Sequence, residues 1–411
     1  MAITKDNPRP VCLDLTRLFS RVGRGPMTGI DRVELAYLRE FCTIPGAFFG
    51  LAKVGRDFFL LDRAAATELL ARLTGQRPWG ARDFRSRLYR RHSADRQAAL
   101  SDLRRLAVKR ISRSGLAATL QANCGPGLCY LNVGHSNIDK CVFGAVRSVP
   151  GARILALLHD VIPLDFPHFQ RPGSVEKFAE KVNVISALAD FIIHPSADGQ
   201  RRAESHLARA GRVPPSVVAH LGIETAPPQP QDLPANLNLA RPYFVTLGTI
   251  EPRKNHELLL DVWQRMGDCA AVPTLVVVGR RGWRNERVFA RLDAMPAHVI
   301  ELNDLSDGAV TALLQGAAGL LFPSYAEGFG LPPAEAASLG IPVVCADLPV
   351  YREFLLDYPV YLNATDMYLW ETIIRNLTNG KDDRSRTDHS AALPDGLPTW
   401  DSHFNFVLKV L

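Results

Sequence analysis

No run of the chain approaches the roughly 18 consecutive apolar residues of a membrane-spanning helix, which excludes a helical membrane-embedded fold. The opening residues, MAITKDNPRPVCLDL, lack the basic, apolar, then small-residue order of a secretory signal, so the expected location is the cytoplasm. The seven cysteines (Cys12, Cys42, Cys124, Cys129, Cys141, Cys269 and Cys345) form no Cys-x-x-Cys pair. That spacing argues against a disulfide scaffold and leaves reduced thiols, mostly in apolar segments. No two aspartates stand two positions apart, so an Asp-x-Asp grip on a divalent metal is missing. There is no short-period repeat and no low-complexity tract.

What is present fits two α/β domains of about 200 residues each, since 411 residues exceed one ordinary core. Hydrophobic content of 47% and charged content of 22% are those of a folded, water-soluble chain. The net charge of +6 is concentrated: between Arg77 and Arg113 stand twelve Lys or Arg against Asp83, Asp95 and Asp102. One basic segment on a near-neutral body suggests local contact with an anionic surface and not general nucleic-acid binding. Phe84, Leu88, Leu100, Leu103, Leu106 and Ile111 recur through it at roughly helical intervals. Two readings stay open: an amphipathic element lying on anionic lipid at the inner face of the plasma membrane, or a helical insertion packing its apolar stripe on the domain.

From Tyr243 onward, short β-branched runs (YFVTLG, TLVVVG, VIEL, AGLLFP, IPVVCA) alternate with helical patterns starting near Lys254, Trp283, Ser306 and Gly328. Such alternation predicts a parallel sheet covered on both faces. The first half offers PVCLDL, FFLLD, LCYLNV, RILALLHD, DFIIHP and SVVAH as strands, and a helix over 30–41 after a loop holding Gly23, Gly25 and Gly29. The expected organisation is a first Rossmann-like domain over 1–225 with a basic helical insertion near 77–113, and a proline-rich linker over 226–242. A second Rossmann-like domain over 243–380 and a tail over 381–411 with a final helix follow.

Two motifs carry chemistry. In FPSYAEGFGLPPAEAASLGIPVV, Glu327 and Glu335 flank a strand-to-helix junction. Ligands of open α/β sheets bind at the carboxyl ends of strands, so Glu327 and the backbone of Gly328, Phe329 and Gly330 would line a cleft, with a helix N-terminus favouring a phosphate. In GTIEPRKNH, Arg253 and Lys254 follow another strand. Two cations there suit a diphosphate, and stabilising a departing diphosphate is what sugar transfer requires.

In order and separation these motifs resemble glycosyltransferase family 4, the glycosyl transferases group 1, with weaker likeness across most of the chain through YLNVGHSN, LLHDVIP, IIHPSADG, HLGIE and the Trp400 helix. The resemblance implies the GT-B fold: two Rossmann-like doubly wound domains facing across a cleft, with the C-terminal helix returning to the first. It implies retaining transfer of a hexose-type sugar from a nucleotide diphosphate to a glycan or lipid-linked saccharide in bacterial surface polysaccharide synthesis. Neither metal nor cofactor is implied. By the same resemblance Glu327, His159, Lys254 and Arg253 act on the reacting sugar and diphosphate. Glu335 holds the ribose, and Gly328, Phe329, Gly330, Leu331, Thr249, Arg280, Leu305 and Gly29 complete the donor site, with Asp304 and Gly279 nearby. The chain departs from the family where Thr249 replaces an arginine and Asp31 replaces a glycine.

The first domain is thereby the acceptor side and the second the nucleotide-sugar side. Asn132 and His135 have loop organisation as their simpler role. Competing functions are a sugar-nucleotide epimerase, a non-catalytic nucleotide- or glycan-binding scaffold, a glycoside hydrolase and a nucleic-acid binder. The hydrolase is disfavoured because both carboxylates belong to one strand-helix unit, and the nucleic-acid binder because no recognition motif accompanies the basic segment.

Overall fold

The computed structural model describes residues 9–89, 91–237, 239, 242–267, 272–380 and 396–411. Cys269 and most of the expected excursion after Gly380 lie outside them.

The first sheet contains β1 (Val11–Asp14), β2 (Phe48–Val54), β3 (Asp57–Asp62), β4 (Lys109–Ile111), β5 (Cys129–Asn132), β6 (Arg153–Leu157), β7 (Phe191–His194) and β8 (Ser216–Val218). Their order is β4-β3-β2-β1-β5-β6-β7-β8. From β2 to β8 the pairing is parallel, whereas β3 and β4 add an antiparallel edge. That edge extends a sheet that is otherwise parallel and doubly wound, as expected. Its cause is local: β2 and β3 are joined by Gly55-Arg56, and a two-residue loop can only reverse the chain. Gly55 takes φ +61°, where glycine meets little strain.

The second sheet contains β9 (Tyr243–Leu247), β10 (Thr274–Val278), β11 (Val299–Leu302), β12 (Gly319–Phe322), β13 (Val343–Ala346) and β14 (Val360–Leu362), in the order β11-β10-β9-β12-β13-β14. Every pairing is parallel. This is the Rossmann order, and its direction reverses between β9 and β12, where such sheets open a crevice at the strands' carboxyl ends.

The basic segment divides. Helix Ala94–Leu106 buries Ala98, Ala99, Leu100 and Leu103, and β4 joins the sheet with Ile111 inside. Those residues follow the packing-insertion reading. Phe84 and Leu88 do not, for both are exposed.

Helix Trp400–Val410 returns to the first domain. His403 Nε2 lies 2.8 Å from the Tyr37 hydroxyl, Phe404 packs edge-on against Tyr37, and Arg153 donates to the Leu411 carbonyl. The halves also meet along the cleft. Glu353 accepts from the amides of Ala197 and Asp198 at 2.7 and 2.8 Å, capping helix Ala197–Arg209 from the other domain where its dipole favours an anion. Ser196 donates to the Gly328 carbonyl, and Trp283 Nε1 to that of Phe169.

Candidate active site

A cavity of about 490 Å³ lies between the sheets. β9 and β12, the strands of the reversal point, deliver its charged floor. After β9 the chain turns through Pro252–Lys254, a single 3-10 turn that holds Arg253 and Lys254 ahead of helix His256–Met266. Asn255 fixes this turn: it sits at φ +55°, a conformation asparagine tolerates, and its buried side chain donates to the Ala364 carbonyl at 2.9 Å. After β12 the chain delivers Glu327, then enters helix Leu331–Ser338, which carries Glu335.

Glu327 Oε1 lies 2.6 Å from Lys254 Nζ and 2.8 Å from Arg253 Nη1. Arg253 also pairs with Glu251 at 2.7 Å and donates to the Ala326 carbonyl at 2.6 Å. Burial alone would push the Glu327 carboxyl up, but Arg253 and Lys254 outweigh it and hold its pKa at about 2. Burial pulls the Lys254 ammonium down against the opposing pull of Glu327. The unit is two cations on one fixed carboxylate.

Glycines set the clearances. A Cβ at Gly328 would stand 2.7 Å from the His159 carbonyl oxygen across the cleft, so this crossing of the two domains has no room for a side chain. Gly330 at φ +104° faces the Tyr351 ring.

Opposite this floor, His159 is buried, and its Nε2 lies 2.7 Å from the Val133 carbonyl oxygen, an acceptor, so Nε2 carries the proton. Burial depresses its pKa to about 4. At neutral pH it is an uncharged ring whose Nδ1 can accept a hydroxyl, and it offers no cation to a phosphate. His135 stacks edge-on against it without lining the cavity, and Asn132 bonds within its own loop to the Ser136 carbonyl.

The cavity brings together every residue expected for the donor site: Glu327, His159, Lys254, Arg253, Glu335, Gly328, Phe329, Gly330, Leu331, Thr249, Arg280, Leu305 and Gly29. Asp304 and Gly279 line it as well. Arg280 pairs with Asp304 and donates to the Arg24 carbonyl of the first domain at 2.6 Å. Among the described residues no group of three or more His, Cys, Asp or Glu converges as a metal site.

Sequence reasoning missed the cationic wall of the first domain. Arg17 and Arg21, four apart on helix Thr16–Arg21, and Arg32 on helix Gly29–Thr43 all line the cavity. The i, i+4 spacing of Arg17 and Arg21 was the available signal. Both guanidinium groups are held by buried Asp31, at 2.7 and 3.1 Å, and the same carboxylate accepts from the Thr28 amide at 2.8 Å to cap the helix. The aspartate standing where the family has glycine is thus a counter-ion for two arginines. Replacing it by alanine removes a cap and leaves two half-buried cations facing each other. Asp31→Ala is expected to lower stability by about 2–3 kcal/mol, read as a reduced urea midpoint. An unchanged midpoint would show that the arginines rehydrate freely.

Arg32 reaches across the cleft to Glu335, Nη2 to Oε1 at 2.6 Å. Burial drives the Glu335 carboxyl up in pKa and Arg32 partly offsets it. The carboxylate expected to hold ribose is therefore already engaged by a cation of the opposite domain.

Residues 231–389 match the family model described as glycosyl transferases group 1. The chain is 28% identical over 230 residues to the serotype-specific mannosyltransferase WbdA of Escherichia coli, covering 52% of this chain and 28% of that protein. It is 30% identical over 157 residues to the O-antigen chain mannosyltransferase RfbU of Salmonella typhimurium, covering 37% and 43%. The matched stretch spans less than half the length of each of these relatives. Among solved structures, Anabaena HepE, in complex with UDP and glucose, aligns with TM-score 0.65 at 15% identity over 98% of this chain and 99% of that one. Sucrose-phosphate synthase of Thermosynechococcus elongatus aligns with TM-score 0.62 at 14% identity over 97% and 98%. The chain has the GT-B fold, and residues 231–389 are similar to the glycosyl transferases group 1.

Proposed function

We propose that this chain is a retaining glycosyltransferase that moves a hexose from a nucleotide diphosphate to a glycan or lipid-linked saccharide in bacterial surface polysaccharide synthesis. The observation that carries the reading is the Arg253, Lys254 and Glu327 cluster at the reversal point of the second sheet, with Glu335 on the next helix. Arg253 and Lys254 would take the charge that develops on the departing diphosphate, the role for which preorganised cations are worth most. Glu327 would hold sugar hydroxyls beside the reacting carbon, and Glu335 the ribose. Neutral His159 would accept a sugar hydroxyl from the acceptor-side domain.

The acceptor hydroxyl would attack the face the diphosphate leaves, a phosphate oxygen taking its proton, through an oxocarbenium-like transition state without a covalent Glu327 intermediate. Neither metal nor cofactor is part of the proposal, since the cations stand where a metal would otherwise carry charge. Mannosyltransferase relatives make mannose the first hexose to test. The expected working place is the cytoplasm, at the inner face of the plasma membrane when the acceptor is lipid-linked.

The test is thermal unfolding with UDP, GDP, ADP and dTDP, without added metal, for the wild type and Glu335→Ala. A ligand at one hundred times its dissociation constant adds about 2.7 kcal/mol to the folded state. One nucleotide is expected to raise the midpoint of the wild type and not of the variant. No rise with any nucleotide, with or without magnesium, would remove the transferase reading. A rise followed by conversion of the sugar nucleotide without acceptor would favour an epimerase. Binding without turnover across an acceptor panel would favour the scaffold.

A further inference from the structure

Over residues 82–89 and at Arg91 the basic segment presents side chains outward. Phe84 is 78% exposed, Leu88 66% and Tyr89 52%, so three large apolar side chains stand in water within six residues. Arg82, Arg85, Arg87 and Arg91 surround them, all exposed. Arg82 donates to Gln97, while Arg85, Arg87 and Arg91 take part in no salt bridge among the described residues. The local acid Asp83 is engaged with Arg104 at 2.7 Å, and Asp95 sits at the start of the next helix. A single exposed leucine needs no explanation, but an apolar cluster ringed by unpaired cations marks a contact surface.

The loop is presented rigidly. Gln97, from helix Ala94–Leu106, donates to the carbonyls of Tyr89 and His92 at 3.1 and 3.2 Å, and the Ser101 hydroxyl donates to Ser86 at 2.8 Å. That helix is anchored in the core by Ala99, Leu100 and Leu103. It is also fastened to the cleft wall: Arg96 donates to the Phe19 carbonyl and its guanidinium lies 4.7 Å from the Phe19 ring centre. Phe19 belongs to helix Thr16–Arg21, whose Arg21 lines the cavity together with Pro26 and Met27 of the following turn. The exposed loop therefore borders the cleft on the first-domain side.

We propose that residues 82–89 together with Arg91 dock this chain on an anionic lipid bilayer, with Phe84 and Leu88 entering between the headgroups and the arginines pairing with lipid phosphates. Nucleic acid offers the phosphates but no apolar layer for Leu88 and Phe84, which is why a bilayer is the better fit. Docking here would hold the acceptor side of the cleft at the membrane surface, where a lipid-linked acceptor can reach it. Such a role at the cleft rests on the sugar-transfer reading, whereas the docking itself does not.

The test is flotation of the full chain on vesicles of phosphatidylcholine with phosphatidylglycerol, against phosphatidylcholine alone. Binding only to the anionic vesicles is expected. Each arginine near such a surface contributes about fivefold to partition, so R85Q/R87Q/R91Q should lower it about a hundredfold. F84S/L88S should lower it about tenfold or more with the charge intact. These side chains are exposed, so melting midpoints and nucleotide binding of both variants should match the wild type. Equal flotation on neutral vesicles, no flotation, or flotation unchanged in either variant would overturn the proposal. So would displacement from anionic vesicles by a short DNA duplex that binds the wild type more tightly. A chain that floats but binds no nucleotide would keep the docking surface and remove the sugar-transfer reading; one that binds nucleotide without floating would do the reverse.

Discussion

Arg253→Met is expected to lower stability by about 3–5 kcal/mol and to reduce sugar transfer by about two to three orders of magnitude. The stability loss follows from what the substitution leaves behind. Of its two ion-pair partners among the described residues Glu327 keeps Lys254, and Glu251, itself buried, loses the guanidinium 2.7 Å away. An uncompensated buried carboxylate is costlier than no ion pair at all. Lys254→Met separates the two effects, since among the described residues Lys254 forms an ion pair with Glu327 alone and Arg253 remains 2.8 Å from that carboxylate. It should therefore cost less stability while still removing about two orders of magnitude from kcat, because one of the two cations facing the leaving group is gone. Urea denaturation measures the first quantity and steady-state release of the nucleoside diphosphate the second. Adding Glu327→Gln to Arg253→Met should restore part of the stability by removing one stranded charge, but none of the activity. If Arg253→Met unfolds at the wild-type midpoint, the cluster is hydrated and its ion pairs carry little.

The second domain was legible because its chemistry is local in sequence. β12, the glycine turn and helix Leu331–Ser338 are consecutive, so the spacing of Glu327 and Glu335 survives without knowledge of tertiary contacts. Arg253 and Lys254 were equally readable, although they stand in a 3-10 turn ahead of the helix and not at its start. In the first domain β2 escaped notice because Gly50 and Ala52 interrupt its apolar run. Gly50 makes room for the Leu15 side chain, whose methyl would lie 2.5 Å from a Cβ there and would have to shift. β4 holds a single apolar residue, Ile111, too little for a strand pattern to register. The arginine wall was hidden for a different reason. Arg32 becomes part of the site only through Glu335, on the far domain, and no local pattern encodes that encounter. The basic segment mixed two roles in one stripe, and only burial divides the anchoring Leu100 and Leu103 from the outward Phe84 and Leu88.

Acidification should expose a second consequence of the turn that carries Arg253 and Lys254. His256, the first residue of the following helix, is buried with no hydrogen-bond partner on either ring nitrogen among the described residues. Burial, and then the charge of Lys254, depress its pKa to about 3. The folded chain thus holds this ring neutral where the unfolded chain, titrating near 6.5, takes up a proton. Stability is complete above pH 6.5 and falls as pH drops from there toward 3, because the unfolded state binds more protons throughout that window. Other groups overlap with it. His159, His194 and His403, each depressed to about 4 with burial as the largest cause, act in the same direction. Glu335 and Asp160, raised by burial, act in the opposite one, since the folded state gains protons on acidification. Glu327, held at about 2, adds its loss only below the ordinary glutamate range. The wild-type curve alone therefore cannot assign the effect, but its difference from His256→Leu can. The substitution shifts the whole curve by a constant packing term, whereas the titration term depends on pH. Between pH 7 and pH 5 the wild type should lose about 2 kcal/mol relative to His256→Leu, measured by urea denaturation at each pH. A constant difference would mean that water or an anion reaches the ring and lets it charge in place. The Arg253–Lys254 turn would then be open to solvent beneath, and water would weaken the pull of the two cations that holds the Glu327 pKa low.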